Sequence, residues 1–474
     1  MTMSNIGCMR GFLASPVGVA CAAALALPLT PPAAAAASPA SSRTASMPAT
    51  RPDVLPGSTQ SLPLTSLSRD RVLGSAASEQ GLARRDVRHF SMVGVIWDDP
   101  DTALHGSVQV RTRATGSGTW SQWQDIGTHS DDAPDPDSTE RTSGRVRGST
   151  TPLWVGDSDG VEVRVRAEGV RRTEETARGT RTLTSATALP SGLRLELVDP
   201  GEAEPGGAEP GGAGPGGAAP VTRAGSLRAG TGTPESAESL AATEIPALDQ
   251  AATERELRTL RGAELTRSQR VKPYIGPRPR IITRRGWGAD EKLREKKFVY
   301  TRNVKAAFVH HTDTGNGYKC SQAASVIRGI YRYHVKSMGW RDIGYNFLVD
   351  KCGTIYEGRA GGVAKPVLGA HTLGFNTKSM GIAVLGSFGS AKPPAAAVRA
   401  IARLAAWKLG IWGGNPSGKT YLKSGGGNLY RKGKNVRLNV ISGHRDGFAT
   451  DCPGLQLYRK LGTTRTTAAR FQGR

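Results

Sequence analysis

Several things are scarce in this 474-residue chain, and each scarcity excludes something. Acidic residues are rare in its second half: residues 251–474 hold 41 Lys+Arg against 12 Asp+Glu, while residues 1–250 hold 22 against 28. A field of one sign concentrates counter-ions, so the basic half implies an anionic surface or polymer nearby. Nucleic acid would satisfy that charge, but no interleaved aromatic-basic motif accompanies it, and a nucleic-acid binder is not expected. An anionic cell-wall polymer meets the same electrostatic demand. Long apolar runs are missing as well. The stretch from Gly11 to Leu29 is broken by Pro16 and Pro28, too short for the ~20 apolar residues of a spanning helix. With Arg10 before it and Ala33 to Ala37 after it, it reads as a cleaved export signal over residues 1–37, implying a secreted or wall-associated protein with no stable membrane span. A zincin-type H-E-x-x-H helix is also absent.

Cysteine is scarce too. Of five, Cys8 and Cys21 fall in the export segment, which leaves Cys320, Cys352 and Cys452 in the mature chain. In an oxidising compartment two of three would pair, and the third needs another reason to be present.

What is there is divided sharply along the chain. Residues 38–87 are polar and aperiodic and read as a disordered tether or pro-segment. Between 88 and 199, apolar and charged residues alternate, as in Val108–Arg113, Val161–Arg166 and Leu193–Leu197, with turn-rich segments such as Asp131 to Asp137 between them. Period two is the pattern of half-buried strands, so an all-β domain, sandwich- or barrel-like, is expected. Its Trp120, Trp123 and Trp154 are candidates for a carbohydrate platform, with a packing role as the plainer reading. Residues 200–270 open with Pro-Gly-Gly-Ala repeats and read as a linker. From 271 to 465 strand and helix patterns mix, with a strand at Val304–Val309, a helix after Ser321, and a second helix from Ala395 that ends at Gly410. Residues 466–474 read as a tail.

Two motif matches fail on context. Gly413–Thr420 fits G-x-x-x-x-G-K-[ST], but a helix pattern precedes it and glycine-rich sequence follows, the reverse of a phosphate loop. Gly156–Gly160 fits G-x-S-x-G, but a strand pattern follows Ser158 where a nucleophile elbow needs a helix, so a hairpin turn is expected.

Three segments carry chemistry: Val309-His310-His311-Thr312, Gly443-His444-Arg445-Asp446 and Asp451-Cys452-Pro453-Gly454. Two imidazoles and one thiol make a three-ligand zinc set with one position left over, the arrangement of catalytic zinc. Taken alone, a buried histidine and a structural thiol would explain them equally well.

These segments stand in order with Arg285-Gly286-Trp287-Gly288, Gly339-Trp340-Arg341-Asp342, Tyr345-Asn346-Phe347, Tyr356-Glu357-Gly358-Arg359, Gly369-Ala370-His371-Thr372 and Asn376. In this, residues about 280–465 resemble the peptidoglycan recognition protein and T7 lysozyme-type N-acetylmuramoyl-L-alanine amidase family. The resemblance implies an α/β (α+β) domain with a central mixed β-sheet flanked by helices and a groove on one face. It implies Zn2+ held by His310, His444 and Cys452, with Tyr345 as a catalytic residue. Thr450 sits where T7-type lysozymes carry a lysine and catalytic animal homologues a threonine, which leaves the proton donor open. His311, Thr312, His334, His371 and Asn376 match groove positions that contact muramyl peptides. With Cys452 given to zinc, Cys320 and Cys352 are the expected disulfide. The implied activity is hydrolysis of the amide between N-acetylmuramic acid and L-alanine, with peptidoglycan as partner and a monomer as the working unit. A binding module that recognises muramyl peptide without cutting it is the rival reading; many such family members lack the cysteine, which is present here.

Overall fold

The computed structural model describes residues 56–67, 78–128, 131–176, 179–202 and 242–474. The export signal and the Pro-Gly-Gly-Ala repeats lie outside the described residues. No described helix is long and apolar enough to cross a membrane.

The N-terminal domain is all-β. Its strands are β1 (Ser58–Pro63), β2 (Thr65–Ser66), β3 (Glu79–Trp97), β4 (Gly106–Ala114), β5 (Gln124–Ile126), β6 (Gly148–Ser149), β7 (Leu153–Ala167), β8 (Gly169–Thr176), β9 (Gly179–Ala186) and β10 (Arg194–Asp199). An antiparallel sheet runs β1-β10-β3-β7-β4-β5, with β2 and β6 also on β3, while β8 and β9 pair apart as a hairpin. Alternation explains its core: Val108 and Val110, then Val161, Val163 and Val165, then Leu195 and Leu197 all point inward. Register shifts between Leu82 and Met92 mark bulges that bend the long β3.

Two sequence expectations are corrected here. Residues 58–66, expected in the tether, pair with β10 and β3, because Leu64 is buried and backbone pairing needs little apolar content at an edge. Gly156–Gly160 is not a hairpin turn but part of the continuous strand β7, where Gly156 takes φ 73° and Ser158 is buried. The tryptophans take up packing contacts, the plainer of their two readings: Arg84 lies 5.0 Å over Trp120 and Arg164 lies 4.0 Å over Trp123, while Trp154 packs on the interdomain core.

The C-terminal domain is built on a seven-stranded mixed sheet ordered β11-β12-β15-β14-β16-β13-β19. These are β11 (Glu244–Ile245), β12 (Ile281–Ile282), β13 (Ala306–His311), β14 (Phe347–Val349), β15 (Ile355–Glu357), β16 (Ser379–Val384) and β19 (Ile441–Gly443). A separate ribbon pairs β17 (Lys419–Lys423) with β18 (Asn435–Asn439). Around them lie α1 (Gln250–Arg261), α2 (Arg267–Val271), α3 (Ala323–Arg332), α4 (Ala395–Ile411), α5 (Leu455–Tyr458) and α6 (Leu461–Phe471). Strand β13 is parallel to both β16 and β19 and apolar on both faces from Ala306 to Val309, as a buried parallel strand must be, before it ends in His310 and His311.

Helix α4 covers one face of the sheet, with Ile401, Ala405 and Leu409 against Val309, Ile382 and Val384. Helix α3 covers the other, and Val326, Ile327 and Ile330 join Met92, Ile96 and Val198 of the β domain in one core. The two domains therefore share an apolar interior.

The linker and tail boundaries are also corrected. Residues 242–271 are not linker: Asp249 caps α1, Thr266 and Gln269 form a capping box on α2, and Leu257 and Leu265 are buried. Isolated leucines in a charged stretch hid that amphipathic helix. Residues 466–471 belong to α6, whose Ala468 is buried and after which Gln472 Nε2 donates to Ala406 O. The Gly413–Thr420 match follows α4 and runs into β17, so a strand and not a helix continues it.

Candidate metal centre and its covering segment

Strand alternation places Phe308 and His310 on the face of β13 opposite Ala307 and Val309. At the C-terminal end of the parallel neighbour β19, His444 opens a short 3-10 turn. Cys452 follows on a loop held by Arg445 N donating to Cys452 O (3.0 Å) and by Cys452 N donating to Thr450 Oγ1 (3.0 Å). One ligand atom each from His310, His444 and Cys452 lies within 4.8 Å of the other two. Among the described residues Cys452 is the free thiol, since Cys320 and Cys352 form a disulfide, as expected.

The chemistry of this donor set fits a zinc ion. Both imidazoles are fully buried, and burial holds each down to about 3, so they are neutral, the form that binds metal. Neither ring nitrogen of His444 has a hydrogen-bond partner, an expensive omission in a buried group unless a cation accepts the lone pair.

Tyr345 lies beside this centre, its ring 5.5 Å from that of His310. Burial first, then the charges of Asp132 and Cys452, push its phenol far above the ordinary range, so it remains a hydrogen-bond donor. His371 backs the site. Its Nδ1 is 3.3 Å from His310 Nε2 and 3.0 Å from Thr372 Oγ1. Behind Tyr345, His334 stacks on Trp340 with centroids 4.5 Å apart and accepts from Gly344 N (3.1 Å). His371 orients His310, and His334 takes Gly344 N on its Nδ1, so each is tied to a neighbouring residue of the site. Thr312 is likewise turned inward, accepting from Gly386 N (3.0 Å). His311 and Thr450 line an open cleft of about 500 Å³ together with Asp313, His444, Cys452 and Leu455. Asn376 accepts from His371 N (2.7 Å) and Thr372 N (3.0 Å), which fixes the loop carrying His371.

One contributor was not anticipated. The β domain sends residues 131–147 across this face. Asp132 Oδ2 accepts from Tyr345 OH (2.6 Å), and its Oδ1 lies 3.0 Å from His310 Nδ1 and 3.4 Å from His444 Nδ1. Asn376 Nδ2 donates to Ala133 O (2.9 Å) and to Asp135 Oδ1 (2.8 Å). Glu140 accepts from Arg359 through both carboxylate oxygens (2.8 and 2.9 Å). In the sequence, Asp131-Asp132-Ala133-Pro134-Asp135-Pro136-Asp137 had read as a turn. The available signal was its charge, an acidic run ahead of a strongly basic domain.

Comparison with known proteins agrees with this architecture. Residues 300–455 match the family model described as N-acetylmuramoyl-L-alanine amidase, and residues 41–188 match that of the Rv3811 N-terminal galactose-binding domain-like family. Peptidoglycan-recognition protein SC2 of Drosophila melanogaster is 30% identical over 185 residues, which are 39% of this chain and 85% of that protein. Peptidoglycan-recognition protein SA of the same fly is 32% identical over 183 residues, covering 39% of this chain and 77% of that protein. A human N-acetylmuramoyl-L-alanine amidase is 32% identical over 188 residues, covering 39% of this chain but 28% of that protein. Among solved structures, peptidoglycan recognition protein LE in complex with tracheal cytotoxin is 32% identical, covers 39% of this chain and 92% of that chain, and has a TM-score of 0.30. Through its C-terminal domain, the chain belongs to the family of peptidoglycan-recognition proteins and N-acetylmuramoyl-L-alanine amidases.

Proposed function

We propose that this protein is an exported, zinc-dependent N-acetylmuramoyl-L-alanine amidase, hydrolysing the amide between the muramyl lactyl group and the first L-alanine of the stem peptide. The observation that carries the reading is the convergence of His310, His444 and Cys452 beside the Tyr345 hydroxyl. A zinc ion held there would supply Lewis-acid polarisation of the carbonyl and a water acidic enough to attack near neutral pH.

The chain's own residues do the rest. His371 and Thr372 orient His310, and Thr450 Oγ1 anchors the backbone that carries the Cys452 thiolate. The Tyr345 phenol, protonated throughout the working range, donates to the oxygen that gains charge as the carbonyl carbon becomes tetrahedral. The Thr450 hydroxyl lines the cleft and serves as a relay, taking up the proton that the attacking water gives up as it passes its own to the leaving amine, so no alkoxide remains. His311 reaches the same cleft as a contact for the muramyl peptide. The basic surface of the C-terminal half draws the protein to anionic wall polymers, and a monomer contains every residue this chemistry uses.

The test uses zinc-loaded full-length protein and its Asp132→Asn variant on purified sacculi. Mass spectrometry should find stem peptides with a free L-alanine amine, and none with Cys452→Ala. Failure of both zinc-loaded proteins to release such peptides overturns the reading and leaves a binding module.

A further inference from the structure

Asp132 belongs to the β domain, yet its carboxylate lies among the candidate metal ligands of the other domain. We propose that Asp132 is a fourth ligand that closes the coordination shell of His310, His444 and Cys452, and that residues 131–140 keep the protein latent by lying in its own substrate groove. This rests on the amidase reading above.

The distances carry the argument. Bond lengths of ~2.0–2.2 Å to nitrogen or oxygen and ~2.3 Å to sulfur give a tetrahedral zinc site edges of roughly 3.3–3.6 Å between ligand atoms. Cys452 Sγ lies 3.7 Å from His310 Nδ1, and Asp132 Oδ1 lies 3.0 and 3.4 Å from the Nδ1 atoms of His310 and His444. Asp132 Oδ1 thus lies at about the length of a ligand–ligand edge from both imidazoles of the set, the position from which a bound cation would draw it in. Charge agrees with geometry, because a dication with one thiolate keeps a positive charge that one carboxylate cancels. Oδ1 is also buried without a hydrogen-bond partner, so without a cation its burial would be costly.

The second oxygen completes the mimicry. Asp132 Oδ2 takes the Tyr345 hydroxyl, so one carboxylate engages both the metal ligands and the phenol. A substrate carbonyl undergoing hydrolysis would need the same two partners. A carboxylate offers no scissile bond, so it blocks the site.

The rest of the segment is anchored in the groove. Asp135 Oδ1 accepts from Gly374 N (2.8 Å) and from Asn376, and Glu140 is paired with Arg359. A tethered ligand acts at an effective concentration of about millimolar or more, which any muramyl peptide must outcompete. Met92, Ile96 and Val198 share a core with α3, so release is a withdrawal of the segment and leaves the domains together.

Three full-length, zinc-loaded proteins test this: wild type, Asp132→Asn, and Asp135→Ala with Glu140→Gln, which keeps the ligand but loosens its segment. Zinc affinity is read by chelator competition and turnover on a soluble muramyl peptide. Asp132→Asn should weaken zinc binding at least tenfold, and both variants should raise kcat/KM at least tenfold. Where Asp132→Asn fails to fold, as judged by its melting curve, the double variant decides on turnover alone. Wild type and variants cutting equally fast overturns latency and leaves the amidase reading intact. A variant that loosens zinc and cuts more slowly makes Asp132 an ordinary ligand and also overturns latency. Absence of cutting in all three, with zinc bound, removes the amidase reading and this proposal with it.

Discussion

The ion pair between Glu140 and Arg359 joins the two domains and allows a quantitative test of how firmly segment 131–147 is seated. Both side chains are buried, at 4% and 5% exposure. Two charge-assisted hydrogen bonds of 2.8 and 2.9 Å link them, and Glu140 Oε1 also accepts from Arg341 N (3.0 Å). Removing one member of a buried pair strands the other charge and costs ~3–5 kcal/mol. Arg359 keeps Ile343 O at 2.8 Å, so Glu140→Ala should fall at the lower end, roughly 3 kcal/mol. Arg359→Ala should cost roughly as much, and the double variant should fall short of the sum by about 2 kcal/mol or more. Burial alone would raise the Glu140 carboxyl, but Arg359 and the hydrogen bonds bring it below its ordinary value. A depressed folded-state value gives stability that is present above the unfolded value of ~4.3 and is lost as pH falls through the folded one. The coupling should therefore be full at pH 7, persist at pH 5 and fade in stronger acid. Urea denaturation of the four proteins at these pH values measures it. Coupling below about 1 kcal/mol at pH 7 is the value of a solvent-screened pair and would refute a buried, docked segment.

Three further outcomes are expected. Cys452→Ser should lose bound zinc, measured by elemental analysis of dialysed protein, and equimolar retention would contradict the ligand assignment. Reducing the Cys320–Cys352 disulfide, which spans 32 residues, should cost about 4 kcal/mol in the chain-entropy account; an unchanged urea midpoint under reductant would argue against it. Burial holds the Lys408 ammonium down to about 7, with Glu357 opposing, while its Nζ donates to Lys365 O at 2.7 Å. The unfolded chain then binds the extra proton between pH ~7 and ~10.4, so stability rises with pH across that window by roughly 5 kcal/mol. Lys408→Met should flatten the rise, and a slope that survives the substitution would assign it elsewhere.

The strand periodicities at Val108–Arg113 and Val161–Arg166, the mixed strand-helix pattern after residue 280 and the failure of both motif decoys were legible because each depends on neighbours along the chain. Helix α1 was missed because its buried residues are Thr253 and one leucine, Leu257, among charged residues, too little for an apolar periodic signal. Strand β1 was missed because an edge strand can be held by backbone pairing to β10 with few apolar side chains. His334 and His371 were expected to meet substrate; only in three dimensions is one ring nitrogen of each seen to be engaged within the protein, by Gly344 and by His310.

By itself the sequence determined the all-β and mixed-sheet domains, which follow from local periodicity. It offered His310, His444 and Cys452 as candidate ligands, and only the family resemblance singled them out and left Cys320 to pair with Cys352. The tertiary structure alone decided that Asp132 meets Tyr345 across 213 residues of chain. An acidic turn has no periodicity and no motif, and the field that fixes its place comes from imidazoles and a phenol that only folding brings to it.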